Sequence, residues 1–341
     1  MIRIVGDVQL ADGFFDTGFG VGSLIEKGLQ PLSKLLTTKE DYWIGNCECV
    51  VANTSNKEGA YRNHFRIAPE HFLKLQHLNL YSIANNHVMQ HGELAYSEMV
   101  KLFDTQSIPH IGSKQRPYHI ILHKGKRIAI FAFSQRKEKY ASTPLPYVYL
   151  PEYCEIEAVL NQIKKEQVDF IISYIHWGNE FINYPYIDQI QFAHWLVDIG
   201  FDLIVGTHPH ITQGCETYKG KKIYYSLGNC VFSMPYSPSK YGLVVNVNFV
   251  DDHFVVTENT LKIDGVVPQV ISDNSIPKEY QMDYLSKLIA NYHDNESYYQ
   301  VVHKGYVRYR QQNILSLIKN LGKFKRKDLQ FIIKDYIHRR F

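Results

Sequence analysis

Two carboxylates, two amides and four imidazoles recur in short polar blocks, each directly behind an apolar run. Asp7 follows residues 2–5, Asn46 and Glu48 follow 42–44, and Asn86 with His87 follows 80–84. His176 closes the run 170–175, and His208-Pro209-His210 comes just after 202–205. Carboxylate oxygens, amide oxygens and imidazole nitrogens are the ligand types of zinc, manganese and iron sites. The same groups can also move protons. Singly they say little, since Asp7 could cap a turn and His176 could be a satisfied core histidine. His208 and His210 carry more weight, because the proline between them stiffens a loop that presents two imidazoles. Glu180, four residues after His176, is a candidate substrate contact, as are Arg62 and Arg66, whose guanidinium forks suit a carboxylate or phosphate. His64, His91 and His119 lack such a setting and read as structural.

What must position these blocks is a set of short β-branched or aromatic runs at 2–5, 127–133, 170–175, 202–205, 222–226 and 243–249, joined by the runs before Asn46 and Asn86. Apolar residues return every three or four positions over 69–78, 93–105, 155–165 and 187–199, which predicts helices. Strands alternating with helices indicate an α/β layer architecture, and in such sheets polar groups at the carboxyl ends of strands converge on one site. A soft boundary falls near residue 270, dividing a body of 1–270 from a tail of 271–341, where helical spacing appears at 280–292, 311–321 and 328–340.

The chain has 341 residues, 45% hydrophobic and 21% charged, a composition that supports a large core and excludes global disorder. Five cysteines are an odd number, and Cys47 and Cys49 form a C-x-C with no second pair, so reduced thiols are expected. The opening MIRIVGDVQL lacks the form of a signal peptide, and no apolar run approaches the ~18 residues of a membrane span. A cytoplasmic protein is the expectation.

The order of the blocks resembles the capsule-synthesis family of poly-γ-glutamate type, a branch of the calcineurin-like metallophosphoesterases. The residues that carry the likeness are Gly6-Asp7, Asn46-Cys47-Glu48, Ala84-Asn85-Asn86-His87, the run from His176 to Phe181, the run from Asp202 to His210, and the run from Tyr225 to Asn229. The resemblance implies a sandwich of two β-sheets flanked by helices. It also implies a metal site in which Asp7 and His210 hold one ion and Asn86, His176 and His208 hold another. Asn46 or Glu48 would bridge them, and His87 would act as the acid. Where the superfamily has Asp-x-His, this chain has Asp7-Val8-Gln9, one imidazole fewer, so one divalent ion (Zn, Mn or Fe) is expected to bind more tightly than a second, with a metal-free site as the alternative. Three functions follow from the resemblance. The first is metal-assisted hydrolysis or transfer on an anionic polymer or peptide, with catalytic roles for His87, Asp7 and Glu48. The second is metal-independent acid–base chemistry such as peptide epimerisation, and the third is polymer binding without chemistry.

The tail is electrostatically distinct. Residues 300–341 hold eleven Lys or Arg against two acidic residues, whereas residues 1–299 hold 26 against 32. Ile314, Leu317, Ile318 and Leu321, then Leu329, Ile332, Ile333 and Tyr336, lie at helical spacing, so a peripheral helical attachment packed by that face is expected. Lys323, Lys325, Arg326, Lys327, Arg339 and Arg340 suit an anionic membrane surface or the polymer. Nucleic acid is a weaker choice, since the body is acidic.

Overall fold

Within the strand Ile2–Val8, alternate side chains enter different layers. Ile2 and Ile4 join Ile44, Leu80, Ile130, Ile172, Leu203 and Val245 in one apolar cluster. Val5 and Val8 join Trp43, Tyr81, Met99 and Phe103 in another. A strand buried on both faces must lie inside a layered fold. The computed structural model describes every residue except 137–144, 150, 252, 291–293 and 339–341, and for 335–338 the backbone alone. Arg339 and Arg340 of the basic tail therefore lie outside the described residues.

The first sheet has the strand order Val267–Ile271, His253–Asp264, Tyr241–Val250, Ile2–Val8, Tyr42–Cys47, Leu80–Ser82, His110–Ile111, and Asn229–Val231 also pairs with Ile2–Val8. Its last four strands are parallel. The second sheet has the order Cys215–Tyr218, Lys221–Tyr224, Leu203–Thr207, Phe170–His176, Lys126–Ser134, Tyr118–His123, with the four inner strands parallel. The inward faces of the two sheets meet, and Tyr174 in the second donates its hydroxyl to the Val5 carbonyl in the first at 2.7 Å. Outside the first sheet, the helix Glu93–Thr105 buries Ala95, Tyr96, Met99 and Phe103. Outside the second, Tyr153–Lys165 and Ile187–Ile199 contribute Ile156, Leu160, Ile163, Phe192, Ala193 and Leu196. Glu152 and Glu155 form a reciprocal capping box at the start of Tyr153–Lys165, which satisfies two otherwise orphaned N–H groups. The α/β sandwich of two flanked sheets is the architecture that the resemblance implies.

Several local expectations need correcting. The helix expected over 69–78 is only Pro69–Phe72, because the chain then turns so that Gln30 can bond Lys74 O and Gln76 N, and Asn79 can accept from Trp43 N. The hairpin His253–Asp264 with Val267–Ile271 extends the first sheet past the body's last expected strand. The tail forms Met282–Ala290, Asn295–Lys319 and Arg326–His338. The expected tail face packs in part: Leu317 and Leu329 lie against a cluster that buries Ile332, while Ile314, Ile318, Leu321 and Ile333 are exposed and the Tyr336 side chain lies outside the description. The 25-residue helix instead buries Tyr298, Gly305 and Asn313. No helix among the described residues is long and apolar enough to cross a membrane. All five cysteines are free, with Cys47 and Cys49 Sγ atoms 4.0 Å apart.

Asp7 owes its position to a close approach of backbone. A Cβ on Gly6 would strike the Gly228 carbonyl, the same oxygen that accepts the Asp7 N–H at 3.1 Å. Gly6→Ala is therefore expected to lose about 3 kcal/mol in denaturant unfolding. Gly322→Ala, where nothing lies within 4 Å of the added Cβ, serves as the unaffected control, and equal midpoints for the two would show that the strand relaxes freely.

Candidate metal centre

The ends of five parallel strands deliver Asp7, Asn46, Glu48, Asn86, His87, His176, His208 and His210 to one place. Asp7, Asn46, Glu48, His176, His208 and His210 are buried, whereas Asn86 and His87 are partly exposed. With its side chain 20% exposed, His87 marks the side open to solvent.

Amides hold the floor of the site. Asn46 Nδ2 donates to Asp7 Oδ1 at 2.8 Å and lies 3.2 Å from His176 Nδ1. Asn85, which the sequence reading left without a role, donates to Asn46 Oδ1 at 3.1 Å and to Cys47 O at 2.8 Å. Its own Oδ1 accepts the N–H groups of His87 and Val88, each at 3.0 Å, and so fixes the turn that presents Asn86 and His87. Asn86 Oδ1 sits 2.7 Å from His176 Nε2.

The His208-Pro209-His210 loop is strained, with φ of 98° at His208 and 59° at His210. Such angles cost ~1–3 kcal/mol in non-glycine residues and persist where neighbours impose them. Here Asp7 Oδ2 accepts the His208 N–H at 3.1 Å and Pro209 O accepts the Phe181 N–H at 2.9 Å. His210 Nδ1 lies 3.1 Å from Asn229 Oδ1. An amide oxygen can only accept, so Nδ1 carries the proton and the Nε2 lone pair turns inward. That Nε2 is 3.7 Å from Glu48 Oε1.

Glu48 is the exceptional group. Both its oxygens are buried without a hydrogen-bond partner, as is His208 Nε2. His176, His210 and His87 each bring Nε2 to 3.7–3.9 Å of Glu48 Oε1, too far for a hydrogen bond. Burial, followed by the charges of Asp7, Glu180 and Cys49, pushes the Glu48 carboxyl well above its ordinary range. Burial likewise raises Asp7, opposed by His210 and by the donors on its oxygens. Burial, followed by the nearby imidazoles and Arg136, holds His176 and His208 well below the usual imidazole range, which disfavours them as counter-ions to Glu48. One ligand atom each from Glu48, His208 and His210 lies within 4.8 Å of the others. Orphaned carboxylate oxygens facing imidazole lone pairs fit a divalent cation, which would satisfy them together.

The remaining candidates divide. Glu180 borders the site, accepts the Tyr306 hydroxyl at 3.0 Å and adds its charge to Glu48. Arg62 is exposed. Arg66 is engaged elsewhere, donating to the carbonyls of Arg62 and Ala52 at 2.6 Å each and to Asn63 Oδ1 at 2.9 Å. His64 bonds Thr17 Oγ1 at 2.7 Å and His91 lies 2.6 Å from His64 O, which makes both structural. Sequence reasoning missed Phe65, which stacks on His87 at 3.8 Å with rings 5° apart. It also missed the C-terminal helix as a wall: Tyr309 stacks on Phe181 at 3.8 Å, and Phe181 lies 6.1 Å from the His210 ring.

The profile described as "Bacterial capsule synthesis protein PGA_cap" matches residues 1–234. The PGA biosynthesis protein CapA of Bacillus subtilis is 28% identical over 262 residues, covering 72% of this chain and 68% of that protein. The capsule biosynthesis protein CapA of Bacillus anthracis is 28% identical over 254 residues, covering 69% of this chain and 59% of that one. A solved 5'-nucleotidase from Candida albicans aligns at 14% identity and a TM-score of 0.46, covering 92% of this chain and 58% of that structure.

Proposed function

This chain belongs to the bacterial capsule synthesis protein family, and from that premise we propose that it is a metal-assisted hydrolase or transferase acting on an anionic, poly-γ-glutamate-type polymer or peptide. The observation that carries the proposal is the buried trio of Glu48, His208 and His210, with three of its polar atoms unpartnered. These residues would hold one divalent ion, with Asp7 and Asn229 setting the orientation of the imidazoles behind it. A bound divalent ion supplies Lewis acidity and a nucleophile near neutral pH.

The chain's own groups do the rest. His87 Nδ1 lies 2.6 Å from Gln90 Oε1, so Nδ1–H donates to the amide and Nε2 faces the site. With a second proton on Nε2, the imidazolium can pass that proton to a leaving group and return to the neutral Nδ1–H ring. Phe65 keeps the ring in plane. Asn86 and His176, bonded to one another, close the floor beneath the reacting group. Glu48 lies beneath the imidazoles with both oxygens buried, a position suited to an ion rather than to taking a proton from a substrate carbon. This favours the hydrolytic reading over epimerisation.

Titrating metal-stripped full-length protein with Mn²⁺ or Zn²⁺ should give one tight equivalent, absent in His208→Ala and in His210→Ala. Two equally tight sites would contradict the single-ion assignment, and no uptake at all would overturn the metal centre. A positive titration should accompany cleavage or transfer of a γ-linked oligoglutamate.

A further inference from the structure

Cations on the second sheet are paired as a rule. Arg127 bonds Glu166 at 3.3 Å, Lys126 meets Asp169 at 3.4 Å, Lys221 meets Asp202 at 2.6 Å and Lys222 meets Glu258 at 3.1 Å. Arg136 breaks the pattern, for it is a partly buried residue with no acidic partner among the described residues. It follows the strand Lys126–Ser134, which pairs with Phe170–His176 up to the register Ser134 with His176. Backbone bonds strap the turn to the metal centre: Gln135 N–H donates to His176 O at 2.9 Å. Ser134 Oγ accepts the Arg136 N–H at 3.0 Å and lies 3.3 Å from His176 O. Withdrawing a guanidinium from water without a counter-charge is unfavourable unless an anion completes it.

The charge of Arg136 is felt by His176 and His208 and by Tyr186, Tyr298 and Tyr306. Tyr298 and Tyr306 belong to the helix Asn295–Lys319 and are tied to the loop after His176, through Asn179 Nδ2 at 3.2 Å and Glu180 Oε2 at 3.0 Å. The strand end that leads into Arg136 and the tyrosine-bearing helix thus both meet the segment that begins at His176.

We propose that Arg136 receives an anionic group of the substrate, a carboxylate or a phosphate, with Tyr298 and Tyr306 of the C-terminal helix as the opposing wall. The assignment rests on the metal-centre reading for where the reacting bond lies, and it restricts substrates to those carrying negative charge beside that bond. It gives Arg136 the place that Arg62 and Arg66 do not fill.

The test is calorimetric binding of two probes, a γ-linked oligoglutamate and inorganic phosphate, to full-length wild type, Arg136→Gln and Arg136→Lys. Losing a charged, forked contact should weaken binding roughly 10- to 100-fold in Arg136→Gln, with a smaller loss in Arg136→Lys, which keeps the charge without the fork. A loss confined to the oligomer assigns a carboxylate, and a loss confined to phosphate assigns a phosphoryl group. Equal affinity of wild type and Arg136→Gln for both probes would overturn the proposal, as would failure of wild type to bind either. Metal uptake is measured on the same samples. If Arg136→Gln loses the anion while wild type takes up no metal, the metal-centre reading falls and this one stands.

Discussion

Glu48→Gln is expected to make the metal-free protein more stable than wild type while removing its stabilisation by metal. Most substitutions of a buried site residue destabilise, so the sign is diagnostic. Both Glu48 oxygens are buried without donors, and the imidazoles nearest to it are kept neutral by burial at His176 and out of hydrogen-bond reach at His210. An unsatisfied buried polar group costs ~1–3 kcal/mol, and more if it is charged. Burial and the charge of Asp7 raise the Glu48 pKa in the folded state. Folded protein therefore binds this proton more tightly than unfolded chain does. The penalty is absent where the carboxyl is protonated in both states, and it grows as pH rises above the ordinary glutamate range. Urea unfolding at neutral pH should thus show a higher midpoint for metal-free Glu48→Gln, and the advantage should shrink in acid. A ligand at 100 times its Kd adds about 2.7 kcal/mol to the protein that binds it, so Mn²⁺ or Zn²⁺ should reverse the ranking. A metal-free variant weaker than wild type at neutral pH would mean that Glu48 has donors, and an undiminished metal response would remove it from the ligand set.

Turnover of the polymer substrate should fall by ~10²–10⁴-fold in His87→Ala, the usual contribution of a general acid. Folding should change little. The ring is partly exposed, and its contacts include the Phe65 stack and the Gln90 bond, together worth about 1 kcal/mol. Paired measurement of turnover and thermal midpoint separates the two effects. A folded His87→Ala protein with full turnover would mean that the proton comes from elsewhere, and a collapse in midpoint would make His87 a packing residue.

Much of the site was legible because each block follows an apolar run, and a parallel sheet gathers strand ends on one edge. Local spacing could not show how the imidazoles combine. Glu48, His208 and His210 bring one ligand atom each within 4.8 Å of one another only because the loop takes a positive φ at both histidines. Arg62 and Arg66 stood out only because they lie between blocks, and Arg66 is instead consumed by carbonyls up to 14 residues away in sequence. Arg136 was silent for the opposite reason: no motif surrounds it, and it stands out only by having no acidic partner among the described residues. The tail was legible only in part, for Leu317, Leu329 and Ile332 pack as their spacing suggests. Its apolar spacing at 314–321 is regular, yet the helix seats itself with Tyr298, Gly305, Tyr306, Tyr309 and Asn313, a face whose polar and glycine members hydrophobic periodicity passes over.

That seating divides the labour of the site between two stretches of chain. Everything that would hold the ion falls within residues 1–234, where the family profile matches, whereas the wall opposite Arg136 comes from Asn295–Lys319. Gly305 sets the depth of the wall, since a Cβ there would come within 3.1 Å of Phe181 O and 2.8 Å of Ile182 Cδ1. Replacing that one helix would therefore change the wall and leave the candidate ion-holding residues in place, provided a glycine stands where the helix meets Phe181.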